Sequence, residues 1–223
     1  ELERYIASRL HPLRSPEMVA HELGIAHETI YAWIERSRPD IRQQLLYWGK
    51  KRRRYSTKRN EKQGWTRNVR SIDERPESTV SWEGDTIKGR TRARILTHVE
   101  RTSLYTIADL IPNGTADTVH TTLVSHQRIG GSVTYDRGSE FALWEMIERD
   151  TGATIYFAHA RHPWERGKNE NTNGRLRRVF PKDFDFSTIT QRQLDNVIQM
   201  MNHTPRKSLF WQTPAEVFKK ICC

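Results

Sequence analysis

Two hydrophobic periodicities divide the chain. Over the first 36 residues apolar side chains recur at helical spacing, with Leu2, Tyr5, Ile6 and Leu10 on one stripe and Met18, Val19 and Leu23 on a second. Ser15-Pro16-Glu17 supplies a cap, a first-turn proline and an acid for the second helix, groups that suit a helix start because its first amides lack partners. Gly24 makes the turn, and a third helix runs from about His27 through Ile30, Trp33 and Ile34. This is a helix-turn-helix order whose last helix can enter a major groove, as well as the pattern of a plain helical bundle. From Thr79 the period changes to that of strands at 79–87, 94–100 and 103–111, joined by turns at Lys88-Gly89 and Arg101-Thr102 and stopped by Pro112-Asn113-Gly114. A helix then starts at Thr115 or Asp117, turns Val119, Leu123 and Val124 inward and ends near Gly130-Gly131. A strand at 132–135, a helix at 141–150, a strand at 153–158 and helices at 170–179 and 191–202 follow, before Pro205 and a C-terminal piece around Pro214 and Phe218.

Three strands, a helix, a strand, a helix, a strand and further helices predict an α/β fold: one mixed five-stranded sheet with flanking helices, preceded by a small all-α unit. The expected divisions are a helix-turn-helix DNA-binding domain at 1–49, a basic linker at 50–77 and an α/β domain at 78–223, which the resemblance given below makes the catalytic one. The linker opens with Lys50, Lys51, Arg52, Arg53, Arg54, Lys58 and Arg59 among ten consecutive residues. Like charges that dense resist packing and track phosphates, so this segment adds affinity for nucleic acid without sequence information. In the helical unit the expected DNA contacts are Arg14, with His27, Glu28, Thr29 and Tyr31 on the third helix.

The whole chain of 223 residues carries 37 Lys and Arg against 27 Asp and Glu, a net charge of +10, which favours a polyanionic partner. No apolar run approaches the roughly 18 residues of a spanning helix, and no signal-peptide pattern opens the chain, so a soluble cytoplasmic protein without membrane attachment is expected. Cys222 and Cys223 stand side by side, a spacing that serves neither a disulfide framework nor a zinc site. The chain begins at Glu1, with no Met and with helical sequence under way, as a fragment would.

Candidate chemistry lies in the acids. Asp85 sits on the first strand, Asp136 follows the fourth, and Glu170 opens a helix. Carboxylates brought together at strand ends can hold hard divalent cations, which suit phosphodiester displacement. Strand geometry alone leaves Glu83 and Asp85 equal, since they face the same side. Glu140 competes with Asp136 in the same way, and Glu165 with Glu170. His159, His162 and Glu165 superficially suggest zinc, but Pro163 interrupts any helix that would align them.

Three segments together carry a family resemblance: Trp82-Glu83-Gly84-Asp85-Thr86-Ile87; Tyr135-Asp136-Arg137-Gly138-Ser139-Glu140-Phe141; and the run from Pro163-Trp164-Glu165-Arg166-Gly167 through Lys168-Asn169-Glu170-Asn171-Thr172-Asn173-Gly174. They resemble the signature of the IS-thirty family of insertion-sequence transposases, part of the group with an Asp-Asp-Glu triad on a ribonuclease-H-like fold shared with retroviral integrases. The 33 residues between Asp136 and Glu170 equal that family's separation, and Thr213-Pro214-Ala215-Glu216-Val217-Phe218 is similar to its ending. Arg137 departs from the Asn that family members usually carry.

The resemblance covers about residues 15 to 218 and implies a DNA transposase that cleaves at transposon ends and transfers the 3′ hydroxyl into target DNA. Its catalytic and metal-binding residues would be Asp85, Asp136 and Glu170, holding two Mg²⁺ ions with Mn²⁺ a substitute. Its partners would be double-stranded DNA, as terminal inverted repeats and target, and further copies of itself in a homodimer or higher oligomer. Around Glu170, the residues Trp164, Arg166, Lys168, Asn173, Arg177 and Arg178 are the expected DNA contacts, and a further helix-turn-helix region is expected upstream of Glu1. The alternative is a noncatalytic, transposase-derived DNA-binding regulator.

Overall fold

The computed structural model describes residues 2–42, 68–76, 80–126, 129–160 and 162–222. Short connections make β1 (Ser81–Lys88), β2 (Arg94–Glu100) and β3 (Thr106–Ile111) an antiparallel meander. Helices α5 (Ala116–His126) and α6 (Trp144–Thr151) are long enough for crossovers, so β4 (Ser132–Tyr135) and β5 (Thr154–Phe157) join parallel on the far side of β1. The sheet order is β3-β2-β1-β4-β5, the mixed five-stranded sheet that the pattern predicted.

The register of the central pair decides what meets at the sheet's edge. Ser81 pairs with Ser132, Trp82 with Val133 and Glu83 with Thr134. The same offset carried two residues further sets Asp85 beside Asp136. Because side chains alternate between faces, Glu83, Asp85 and Ile87 share one face of β1 with their partners Val99, Thr97 and Ile95 on β2, while Trp82 and Gly84 share the other.

Each face covers its own core. On one, Trp82, Leu96, Val133, Tyr135, Ile155 and Phe157 pack against Val119, Leu123, Phe141 and Ile147. On the other, Ile87, Ile95 and Ala108 pack against Leu176, Phe180, Phe186, Leu194, Ile198 and Met201, supplied mainly by α7 (Gly167–Val179) and α8 (Gln191–Asn202). Helix α8 starts where the sequence says it should, in a capping box of Thr190 and Gln193. The chain closes in α9 (Pro214–Cys222).

The N-terminal unit comprises α1 (Leu2–Arg9), α2 (Pro16–Leu23), α3 (His27–Ser37) and the short α4 (Pro39–Arg42) around Ile6, Val19, Ile30, Trp33 and Ile34. Gly24, at φ +66°, closes α2 by donating to the Ala20 and His21 carbonyls, a left-handed cap that glycine adopts without steric cost. This unit is joined to the α/β body. Leu13 is buried in the second core, Arg178 Nη1 donates to the Pro12 carbonyl at 2.6 Å, and His21 stacks on Trp211 with ring centroids 4.0 Å apart.

Three local expectations change. The third strand begins at Thr106 rather than 103, because the buried Glu100 carboxylate accepts the amides of Thr102 and Ser103 and holds a turn there. The helix expected from 141 begins at Trp144, since Phe141, buried and stacked 4.0 Å from Tyr135, ends a separate 3₁₀ turn. Residues 68–76 of the expected linker lie against β5, where the Phe157 amide donates to the Arg70 carbonyl at 2.9 Å. The basic stretch with Lys50, Lys51, Arg52, Arg53, Arg54, Lys58 and Arg59 lies outside the described residues, as do both expected domain boundaries.

Gly84 separates Glu83 from Asp85 for a steric reason. On its face the Tyr135 hydroxyl and His98 Nε2 meet at 2.8 Å, both fully buried. A Cβ at position 84 would stand 2.1 Å from Tyr135 Cε1. Gly84→Ala is therefore expected to cost about 2–3 kcal/mol by overpacking, read as a lowered urea midpoint. A midpoint within error of the parent would contradict this packing.

Candidate active site

The two aspartates meet at the carboxyl end of β4, and each is held by hydrogen bonds of its own. Asp85 Oδ1 accepts the Thr86 amide at 2.9 Å and Oδ2 accepts Asn173 Nδ2 at 2.9 Å. Asp136 Oδ1 accepts the Gly138 amide at 2.9 Å. Between them lies Arg166, whose Nη2 donates to Asp136 Oδ2 at 3.2 Å and whose Nη1 stands 3.7 Å from Asp85 Oδ1. Burial pushes the Asp85 carboxyl up to about 6; Arg166 opposes the rise, and the charges of Asp136 and Glu140 add to it.

Helix α7 runs along β1 in step with it. Glu83, 1 % exposed, accepts the Asn169 amide through Oε2 at 2.9 Å, while Asn169 Nδ2 returns a bond to the Glu83 carbonyl at 3.0 Å. One helical turn on, Asn173 reaches Asp85. One further turn on, Arg177 Nη2 donates to the Lys88 carbonyl at 2.5 Å. A turn of helix rises about 5.4 Å and two strand residues about 6.6 Å, so the first two contacts meet alternate strand positions, and the long Arg177 side chain reaches on to the third at Lys88. This contact explains why α7 begins at Gly167, earlier than the expected 170: Glu83 takes up one of its orphan first-turn amides.

The hydrogen bonds separate the competing acids. Glu83 is bound by Asn169 and by Arg101 Nε at 3.2 Å. Glu140 accepts from Thr86 Oγ1 at 2.8 Å and pairs with Arg94 at 3.5 Å. Glu165 accepts the His159 amide at 2.8 Å and faces His159 Nδ1 at 2.9 Å, an interaction that raises the His159 pKa. Glu170 is exposed on α7, four residues after Arg166 and three before Asn173. It is not drawn into the aspartate pair, and among the described residues no group of three His, Cys, Asp or Glu side chains is arranged to hold an ion.

The remaining expected contacts divide into exposed and engaged groups. Trp164 is 69 % exposed, and Lys168, Glu28 and Thr29 are also exposed. Arg14 is paired with Glu22, and His27 lies 3.3 Å from Glu28 and edge-on to Tyr31. Arg177 is occupied by the carbonyls of Lys88 and Pro181, and Arg178 by that of Pro12. Sequence reasoning missed the structural part of Glu83 and the bridging by Arg166. A signal for the first was present: Asn169, Thr172 and Leu176 form the buried stripe of α7, and polar residues at helical spacing on a buried face require polar partners.

The donors fit hard divalent cations. One carboxylate lies on β1 and the other directly follows the adjacent β4, both face the same guanidinium, and Asp85 has one oxygen fixed by an amide side chain. Asp85 and Asp136 would hold such ions, and Glu170, on the next turn of α7, would have to turn inward to complete them.

Similar proteins are found among known transposases and in one solved structure. The chain is 37% identical over 156 residues to the transposase InsI for insertion sequence element IS30A of Escherichia coli (strain K12), covering 68% of this chain and 40% of that protein. It is 33% identical over 218 residues to the transposase for insertion sequence element IS1086 of Cupriavidus metallidurans, covering 90% and 64%. It is 34% identical over 210 residues to the transposase for insertion sequence element IS4351 of Bacteroides fragilis, covering 88% and 64%. The chain thus spans between two fifths and just under two thirds of these relatives. No protein-family model matches it. In fold it is similar to the catalytic core domain of BIV integrase, with a TM-score of 0.50 and 19% identity, covering 64% of this chain and 95% of that domain.

Proposed function

This chain is a homologue of the IS30-family insertion-sequence transposases, and we propose that it is a DNA transposase cleaving at element ends and joining the freed 3′ hydroxyl to target DNA. The observation that carries the reading is that Asp85 of β1 and Asp136, just after β4, converge on the same guanidinium, with α7 locked alongside. Asp85, Asp136 and Glu170 would hold two Mg²⁺ ions, or Mn²⁺ in their place. Ions held there would supply Lewis-acid chemistry, lowering the pKa of an attacking oxygen and stabilising the leaving one.

The chain's own residues prepare that chemistry. Asn173 fixes the rotation of the Asp85 carboxylate, and the Gly138 amide does the same for Asp136. Trp164 and Lys168, exposed before and at the start of α7, meet base faces and backbone of the DNA end respectively. The exposed side of α3, with Glu28 and Thr29, reads the duplex, and the basic run from Lys50 to Arg59 follows phosphates. The division into 1–49, 50–77 and 78–223, and action as a homodimer or larger assembly on paired ends, belong to the same proposal. Among the described residues no helix is long and apolar enough to cross a membrane.

The test is incubation with duplex element ends and Mg²⁺, followed by mapping of cut and joined strands. Cuts at the element boundary and joined 3′ ends are expected; binding without any cut strand would refute the reading. Asn173→Ala is expected to lower cleavage about 10- to 100-fold, the usual cost of removing a group that orients a metal ligand. DNA affinity, measured by fluorescence anisotropy, should stay within about twofold of the parent, because this side chain contacts Asp85.

A further inference from the structure

The group between the two aspartates belongs to the chain itself. Arg166 is 17 % exposed and turns one guanidinium edge to Asp136 at 3.2 Å and another toward Asp85 at 3.7 Å, with Nη1 also donating to the Gly84 carbonyl at 3.4 Å. It sits where the 3₁₀ turn Pro163–Arg166 passes into α7, four residues before Glu170. A planar cation with several N–H donors does for two neighbouring carboxylates part of what a small metal ion does: it offsets their mutual repulsion and fixes their spacing.

We infer that Arg166 is the resident counter-ion of the aspartate pair, holding the two carboxylates together in the metal-free chain and competing with divalent ions for the same oxygens. The inference rests on the reading of Asp85 and Asp136 as metal ligands. Mg²⁺ binds carboxylate oxygen at about 2.0–2.1 Å, so it and the guanidinium cannot both occupy the space between them, and their like charges oppose each other. Loading therefore requires Arg166 to leave. Released at the start of α7, its planar fork is suited to a phosphate of the incoming strand, which it can meet with two parallel hydrogen bonds. Metal binding by the free chain is thus held weak, and the same side chain becomes a DNA contact once the ions are in place.

Titration of the intact chain with Mn²⁺, following free ion by electron paramagnetic resonance, tests this without reference to activity. Arg166→Gln is expected to bind Mn²⁺ about tenfold more tightly than the parent, the size of one partly screened charge interaction, and to melt lower than the parent in EDTA but gain more on adding Mn²⁺. Arg166→Lys, which keeps the charge and loses the fork, should fall between, at about two- to threefold tighter, and carries the comparison if the Gln variant does not fold in EDTA. Asp85→Asn should lose the binding. Unchanged or weakened Mn²⁺ affinity in both Arg166 variants, with the parent binding normally, overturns the counter-ion inference and leaves the metal site standing. Absence of Mn²⁺ binding in parent and variants alike overturns both.

Discussion

Asp85→Asn is expected to abolish strand cleavage and, in EDTA at neutral pH, to make the protein more stable than the parent. The loss of activity should be at least about a thousandfold, since a metal ligand underlies several kcal/mol of transition-state stabilisation and each 1.36 kcal/mol is tenfold. The gain in stability follows from the same residue's burial. Its carboxyl is raised from 3.8 to about 6, so the folded chain takes up a proton more readily than the unfolded one. The stabilisation that this group contributes is full below about pH 4, declines as pH rises and is gone above about 6. Asparagine carries no charge to desolvate and still offers Asn173 an acceptor, although it forfeits attraction to Arg166. A net gain on the order of 1 kcal/mol at pH 7.5 is expected, with the difference closing toward pH 4. Thermal melts across that range measure it; a variant less stable than the parent at pH 7.5 would show that Asp85 is not a strained, functional acid.

Glu83→Ala should act in the opposite way, removing stability and activity together. The side chain is almost fully enclosed and satisfies the Asn169 amide in the first turn of α7, with Arg101 as its second partner. Truncation leaves a buried donor unpaired and a cavity beside β1, an expected cost of about 3 kcal/mol. Arg101 is partly exposed and recovers water, which keeps the cost from being larger. Glu83→Gln retains an acceptor oxygen for the Asn169 amide and should cost about half as much. Urea unfolding separates the two, and a Glu83→Ala loss below about 1 kcal/mol would mean that α7 is positioned by something other than this carboxylate.

Legibility in the sequence followed the range of the interaction. Helix α8 was readable end to end because its capping box and apolar stripe are local, and the three-strand meander because short turns leave little choice of topology. The start of α7 was not readable, since its first turn, Gly167-Lys168-Asn169, has weak helical propensity and is completed by a carboxylate 86 residues away. The acids posed the same problem. Glu83 and Asp85 are alike by strand parity, and only the hydrogen bonds to Asn169 and Asn173 distinguish the structural acid from the one in the pair. Register supplies what parity cannot: the offset between β1 and β4 brings Asp85 level with Asp136. Arg166 stood out only as an expected DNA contact, because one arginine in a basic chain does not announce that it faces inward onto two aspartates. The spacing that drew attention to Glu170 identifies its helix, but its side chain is exposed and apart from the aspartate pair, and the proposed triad requires it to turn inward when ions and DNA bind.

The proposed chemistry requires Asp85, Asp136 and Glu170 to share divalent ions when DNA is engaged. The direct measurement is a crystal structure of the chain with a duplex element end and Mn²⁺, with ion positions taken from anomalous scattering. Two Mn²⁺ peaks are expected between the three carboxylates, with Glu170 turned inward and Arg166 withdrawn from the aspartates. Mn²⁺ bound elsewhere, or Glu170 still pointing away from the ions in that complex, would contradict it.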